Sequence, residues 1–237
     1  MKPRVLMITD SMGTDFGAIG YAHVAKDTYP ATVDVLHYAG LPAFMVAADL
    51  DDRELGSYDV ALVQLGVPDI TARFPHFIMR GLRKVGLKFI RESFFFTPPN
   101  FGWRWILRLP LLLVRLVITR IYRASYTTPE ELVALIEHIV TRLRKQAPRV
   151  VVLPVFEVSR LYGRDHGRRA REANEKLAAT FGADFVRCPA LDPSVYGRFR
   201  NHDFFHLRDE YHRQLAQELE PILLSDGQVD QRDRLTS

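Results

Sequence analysis

The sequence predicts an α/β protein built on a doubly wound parallel sheet, and three observations carry that prediction. Five short apolar runs recur along the chain, each followed by polar or turn-forming residues, the pattern of strands buried on both faces. Longer stretches with apolar residues at helical spacing lie between most of them, so strand and helix alternate. Right-handed crossovers would bring the C-terminal strand ends to one edge, and the polar motifs of this chain fall just beyond those ends or on the final loop.

The first run, Val5-Leu6-Met7-Ile8-Thr9, ends in the polar turn Asp10-Ser11. Val33-Asp34-Val35-Leu36-His37-Tyr38 reads as the second strand and Val60-Ala61-Leu62-Val63-Gln64-Leu65 as the third. The fourth, Val150-Val151-Val152-Leu153-Pro154-Val155, is stopped by its proline, and Ala183-Asp184-Phe185-Val186-Arg187 is a shorter fifth. Thr128-Pro129-Glu130-Glu131 opens a helix: a capping threonine, proline in the first turn, then acids near the positive end of the dipole. Leu132, Leu135, Ile136, Ile139, Val140 and Leu143 give that helix one apolar face. A second helix is expected from about Arg164 to Thr180, ended by Gly182. The last begins near Leu207 and aligns Tyr211, Leu215 and Leu219.

Residues 76–126 break the alternation. Phe94-Phe95-Phe96, Trp103, Trp105 and the run Leu109–Val114 are strongly apolar, yet arginines recur at 104, 108, 115, 120 and 123. The uncharged run is far short of the ~20 residues that cross a bilayer, so an inserted helical cap is expected. Ten Lys/Arg against the single acid Glu92 lie between Arg80 and Arg123; with a total charge of +4, this segment holds +9 and the rest of the chain −5. Three readings of the segment stand: a solvated charged face, a peripheral membrane contact through residues 94–123, and a lid over an acidic substrate. Nucleic acid fits least, because the aromatics follow an apolar helix pattern and not an extended basic groove.

At 237 residues and 47% hydrophobic, the chain can build one substantial core. One domain over residues 1–225 is expected, with the insertion at about 76–126 and a polar tail at 226–237. The apolar run before Asp10 is too short for a signal peptide, and the one cysteine, Cys188, makes no internal disulfide. A cytoplasmic location follows, peripheral at the inner membrane face under the second reading of the insertion.

Three motifs carry the chemistry: Asp10-Ser11, Gly66-Val67-Pro68-Asp69 and Asp203-Phe204-Phe205-His206. Serine attacks only as its proton leaves; an imidazole takes that proton, and a carboxylate on the other ring nitrogen holds the tautomer. Asp203 and His206 are close enough in sequence for their side chains to point the same way in a turn entering a helix. Ser11 would meet His206 at the shared sheet edge. The backbone N–H groups of Ser11 and of Gly40, after the second strand, are candidate donors to an oxyanion.

Asp10-Ser11, Gly40, Gly66-Val67-Pro68-Asp69 and Asp203-Phe204-Phe205-His206 resemble, in order and spacing, the four blocks of the SGNH (GDSL) hydrolases. The resemblance runs from about Arg4 to Leu219, excluding the insertion. It implies a three-layer α/β/α fold with a five-stranded, flavodoxin-like parallel sheet, and an esterase or carbohydrate O-acyl esterase or transferase. It implies Ser11 as nucleophile, His206 as general base, Asp203 as its partner and Gly40 as an oxyanion donor, with Gly66 and Asp69 marking the third block. Two positions depart from the pattern: Thr9 stands where the first block begins with glycine, and Pro68 where the third block carries asparagine. Proline offers neither a side-chain amide nor a backbone N–H, and losing one oxyanion donor costs ~10²–10³ in turnover. Arg73 is the hypothetical replacement source of positive charge.

The expected partner is a small-molecule or carbohydrate acyl ester. Either an ester hydrolase or an O-acyltransferase of the same mechanism fits; Pro68 instead favours a catalytically quiet binding or assembly protein for polysaccharide export. No cofactor is expected. His202, Asp203, His206 and His212 lack a metal-site pattern, so no metal is expected either. No phosphate-cradling or dinucleotide glycine motif follows the first strand.

Overall fold

Val5 to Ile8, Val60 to Val63 and Val150 to Val152 are each no more than 3% exposed, the burial of strands covered on both faces. The computed structural model describes residues 2–13, 19–71, 117, 125–158, 165–200 and 206–225. Among them, β1 (Arg4–Thr9), β2 (Thr32–His37), β3 (Val60–Gln64) and β4 (Arg149–Val152) form one sheet in the order β2-β1-β3-β4, every pair parallel. The register matters for function. Thr9 stands opposite both His37 and Gln64, so β1, β2 and β3 finish flush and release their following loops side by side.

The expected fifth strand is present among the described residues as a short bridged segment at the edge of the sheet. Its residues join β4 through a single parallel bridge, Val152↔Phe185, with Val186 N–H donating to Val152 O at 3.0 Å. Gly182–Asp184 is wound into a 3₁₀ turn and Pro189 begins another. Only a short extended piece is left between them, and Pro189 has no N–H to extend a ladder. The sheet is therefore four-stranded with a one-bridge extension, in the order expected of a flavodoxin-like sheet.

Seven α-helices are described: α1 (Tyr21–Thr28), α2 (Ala43–Asp52), α3 (Val67–Ile70), α4 (Pro129–Leu143), α5 (His166–Phe181), α6 (Pro193–Tyr196) and α7 (Asp209–Leu224). α1 packs on α7, while α2 packs on α4 and α4 on α5. The β1-α1-β2 and β2-α2-β3 crossovers run in opposite directions across the sheet, so a common right-handedness puts α1 and α2 on opposite faces. Those are the outer layers of the α/β/α arrangement.

Local sequence explains the helix ends. Thr128 Oγ1 accepts from Glu131 N–H at 3.2 Å and Glu131 Oε2 accepts from Thr128 N–H at 2.8 Å, a complete capping box. Leu132, Ile136, Ile139, Val140 and Leu143 are buried beneath α4, joined by Val133. α5 stops at Gly182, whose N–H donates to Ala178 O with φ +55°. Tyr211, Leu215 and Leu219 are fully buried along α7. The tail at 226–237 and nearly all of the insertion, with the readings attached to both, lie outside the described residues. Among the described residues no helix is long and apolar enough to cross a membrane.

Candidate active site

The site begins where β1 runs out. Asp10 N–H donates to Gln64 O at 3.0 Å, the last rung joining β1 to β3. The chain then turns: Gly13 N–H reaches Asp10 O at 3.1 Å and Ala22 N–H reaches Gly13 O at 3.2 Å. Ser11 sits in this turn and is 6% exposed. The turn also accommodates Thr9, the residue standing where glycine was expected. A Cβ added at Gly13 would lie 2.6 Å from Thr9 Cβ, so the absent side chain at Gly13 makes room for the one present at Thr9. Thr9 Oγ1 is buried and finds no hydrogen-bond partner among the described residues. Thr9→Val keeps the β-branched shape and removes that orphan hydroxyl, and is expected to raise unfolding free energy by ~1 kcal/mol in urea titrations. An equal loss of stability would mean that the hydroxyl is satisfied by water.

Asp10 holds the edge together. Its Oδ1 accepts from Met12 N–H at 2.9 Å and from Gln64 Nε2 at 3.0 Å; its Oδ2 accepts from Val67 N–H at 3.3 Å. One carboxylate thus ties the turn bearing Ser11 to the end of β3 and to the loop opening α3. Asp10 is completely buried, and burial is the main reason that its carboxyl is pushed up to about 6. Three hydrogen bonds and the charge of His206 act the other way.

His206 comes from the far end of the chain. An antiparallel bridge, Arg200↔Leu207, and the bond from Arg208 N–H to Phe199 O at 2.9 Å pin the base of the loop from which His206 emerges. Asp209 Oδ1, in the first turn of α7, accepts from Ile19 N–H at 2.8 Å. One turn later the His212 ring stacks on Tyr21 at 6.3 Å between centroids. These contacts dock the start of α7 on the start of α1, with His206 buried at 4% exposure just before it. The turn bearing Ser11 meets the same end of α1, through Ala22 N–H to Gly13 O, so both segments dock there; no hydrogen bond joins Ser11 to His206 among the described residues.

The other expected residues occupy the neighbouring loops. Gly40 follows β2 in a turn closed by Leu41 N–H to Tyr38 O at 3.2 Å, with φ +70°, the left-handed third position of a type II turn. A Cβ there would meet nothing within 4 Å, so the backbone of Gly40 is open to approach. Gly66 caps α3 at φ +113°. Asp69 is fully buried, and both its carboxylate oxygens accept from Ala43 N–H, at 2.9 and 3.1 Å. Its main-chain oxygen accepts from Tyr126 N–H at 2.9 Å. Asp69 thereby anchors the start of α2, three residues beyond Gly40. Pro68 is buried in α3 and supplies no donor. Asp203 and Arg73 lie outside the described residues.

A cleft of about 370 Å³ opens between the continuation of β4, residues Pro154–Glu157, and α5. Ser11, Gly40, Gly66, Asp69 and His206 do not line it. Cys188 does line it, but burial pushes its thiol up to about 12, far from a reactive thiolate. Among the described residues no three His, Cys, Asp or Glu side chains are grouped to hold a metal ion.

Sequence reasoning missed the part played by Asp10 and Gln64. The available signal was slight: Gln64 is a polar residue ending an apolar run, where a strand gives its last side chain to the active edge.

No protein-family model matches the chain, and no curated protein does. Solved structures do match. An acetyl-xylooligosaccharide esterase, Axe2 of Geobacillus stearothermophilus, superposes with TM-score 0.54 at 14% identity, covering 93% of this chain and 94% of that one. A catalytic mutant of the same acetylxylan esterase gives 0.54 at 15% identity, over 93% and 94%. LAE5, an alpha/beta hydrolase enzyme from the metagenome of Lake Arreo, Spain, gives 0.52 at 17% identity, over 90% and 91%. At this level of identity the likeness is one of fold, and it spans nearly the whole chain.

Proposed function

We propose that this chain is a serine-dependent ester hydrolase acting on a small acyl ester, with O-acylated carbohydrate as the favoured substrate class. Ser11 Oγ attacks the acyl carbonyl while His206 takes its proton. Asp203 orients the imidazole, and the N–H groups of Ser11 and Gly40 receive the developing oxyanion. His206 then returns the proton to the departing alcohol. Water, activated by the same imidazole, releases the acid and regenerates Ser11. A sugar hydroxyl in place of that water would make the protein an O-acyltransferase with no other change to the machinery.

One observation carries this reading: the turn bearing Ser11 and the segment bearing His206 are both tied to the start of α1, through Ala22 N–H to Gly13 O and through Ile19 N–H to Asp209, although the two motifs stand at opposite ends of the sequence. The described fold adds support, since the solved proteins that share it include esterases and one of them is named for acetylated xylan. The test is covalent labelling with an organophosphonate, read as a mass shift on the Ser11 peptide. An adduct is expected on the wild type and none on Ser11→Ala.

A second reading has its own observation. Pro68 brings a ring without donors to the block where the SGNH pattern has an amide, which favours a protein that binds an acylated glycan without turning it over. A folded wild type that never forms the phosphonate adduct would establish that reading and end the first.

A further inference from the structure

We propose that the exposed apolar face at the start of α2, made by Leu41, Phe44 and Met45, is an acyl-chain subsite that sets a preference for esters of acids longer than acetic acid. The inference deepens the ester-hydrolase reading and rests on it.

α2 is apolar on two sides where it begins. Ala43, Val46, Ala47 and Leu50 are buried toward the core. On the outward side Leu41 is 37% exposed, and Phe44 and Met45 are each 47% exposed. Their spacing of i, i+3 and i+4 gathers them on one helical face. No charged residue occurs from Tyr38 through Ala48. Polarity returns only farther along, where Asp49 accepts from Arg53 Nε at 3.1 Å and Asp51 pairs with His138 Nε2 at 2.9 Å. A helix that only covered the core would be polar outward along its whole length. Single exposed apolar residues are ordinary, but three large ones grouped from Leu41 to Met45 mark a binding surface.

The face lies against the active edge. Thr9 and His37 are in register, and Tyr38 N–H donates to Thr9 O at 2.9 Å, so the loops bearing Ser11 and Gly40 leave the sheet side by side. Leu41 follows Gly40 directly. The third block ties the group together: Asp10 meets Val67 N–H, while Asp69 holds Ala43 N–H, between Leu41 and Phe44. Tyr126, whose N–H donates to Asp69 O, sets its ring edge-on to Phe44 at 6.2 Å between centroids and extends the surface.

An ester whose carbonyl oxygen is received by Gly40 N–H carries two substituents past this face. A sugar laid on it would leave hydroxyls without partners, at a cost; an alkyl chain has none to satisfy. The acyl chain is therefore the substituent that fits. A second copy of the chain fits poorly, because three half-exposed side chains offer roughly 300 Å², against ~800 Å² per partner in a stable interface.

Two measurements test this. The first is kcat/KM for nitrophenyl esters from acetate to octanoate, in the wild type and in Phe44→Ser and Met45→Ser. Each methylene taken from water onto the face is worth about 3-fold, so the wild type is expected to favour hexanoate over acetate by ~10-fold or more. Either substitution is expected to shrink that preference by ~5-fold. A wild type without the preference, or variants that retain it in full, would overturn the proposal and leave the hydrolase mechanism standing. The second measurement needs no turnover: the NMR signal of the Met45 methyl group, assigned with Met45→Leu, during titration with methyl heptyl ketone, which cannot be hydrolysed. The signal is expected to move with this ketone and not with acetone. A signal that stays in place would overturn the proposal. One that moves in a protein that hydrolyses no ester would support the subsite while ending the esterase reading. One that moves with protein concentration alone would assign the face to a second copy and overturn the proposal.

Discussion

A Ser11→Ala variant is expected to lose hydrolysis of short acyl esters by ~10³-fold or more while unfolding at the wild-type denaturant midpoint. The two halves of that expectation have separate causes. Serine, base and oxyanion donors act as a unit, so removing the nucleophile leaves only what binding and the remaining donors contribute. Here the remainder should be small, because Pro68 offers no donor to the edge on which that residual rate depends. Stability is a different matter. Among the described residues the turn is held by Asp10, Met12 and Gly13 through main-chain and carboxylate bonds. Steady-state kinetics and urea unfolding on the same preparation check both. Wild-type turnover in Ser11→Ala would place the nucleophile elsewhere and remove the hydrolase mechanism; a collapse in stability would leave the kinetics uninterpretable as chemistry.

Much of the fold was legible because its determinants are local. The run Val5 to Ile8 is apolar throughout, ends at the polar turn Asp10-Ser11 and forms a strand buried on both faces. Thr128 through Glu131 carries a complete helix start in four residues. The fifth run, Ala183–Arg187, joins the sheet by one bridge only, because what flanks it limits its length: a glycine-led 3₁₀ turn before and a proline after. The site was legible in part for a different reason. Ser11 and His206 could be paired only through the crossover rule, which predicts an edge but no distance. The roles of Asp10 and Asp69 were hidden because a buried carboxylate is defined by the N–H groups turned toward it, Met12 and Val67 for one and Ala43 for the other. Those partners are brought together by tertiary structure, and nothing in the spacing of the residues announces them.

Gly66 gives the sharpest stability prediction, because two independent penalties fall on one atom. At φ +113° the backbone is in a region that side-chain-bearing residues avoid, at a cost of ~1–3 kcal/mol. A Cβ would also lie 2.8 Å from Leu132 Cδ2 and 3.0 Å from Val155 Cγ2. Leu132 is fully buried in α4 and Val155 is 1% exposed, so neither can swing into solvent, and overpacking adds ~1–3 kcal/mol. Gly66→Ala is therefore expected to cost ~3 kcal/mol or more in urea unfolding. Activity should fall as well, because the Val67 N–H that meets Asp10 is the next amide along. Gly40→Ala is the control: φ is +70° but its Cβ would meet nothing within 4 Å among the described residues, so only the conformational cost of ~1 kcal/mol applies. The difference between the two variants isolates the contact with Leu132 and Val155. Equal losses would mean that α4 yields to the added methyl, and that the third block is less rigidly seated against the helix than its burial implies.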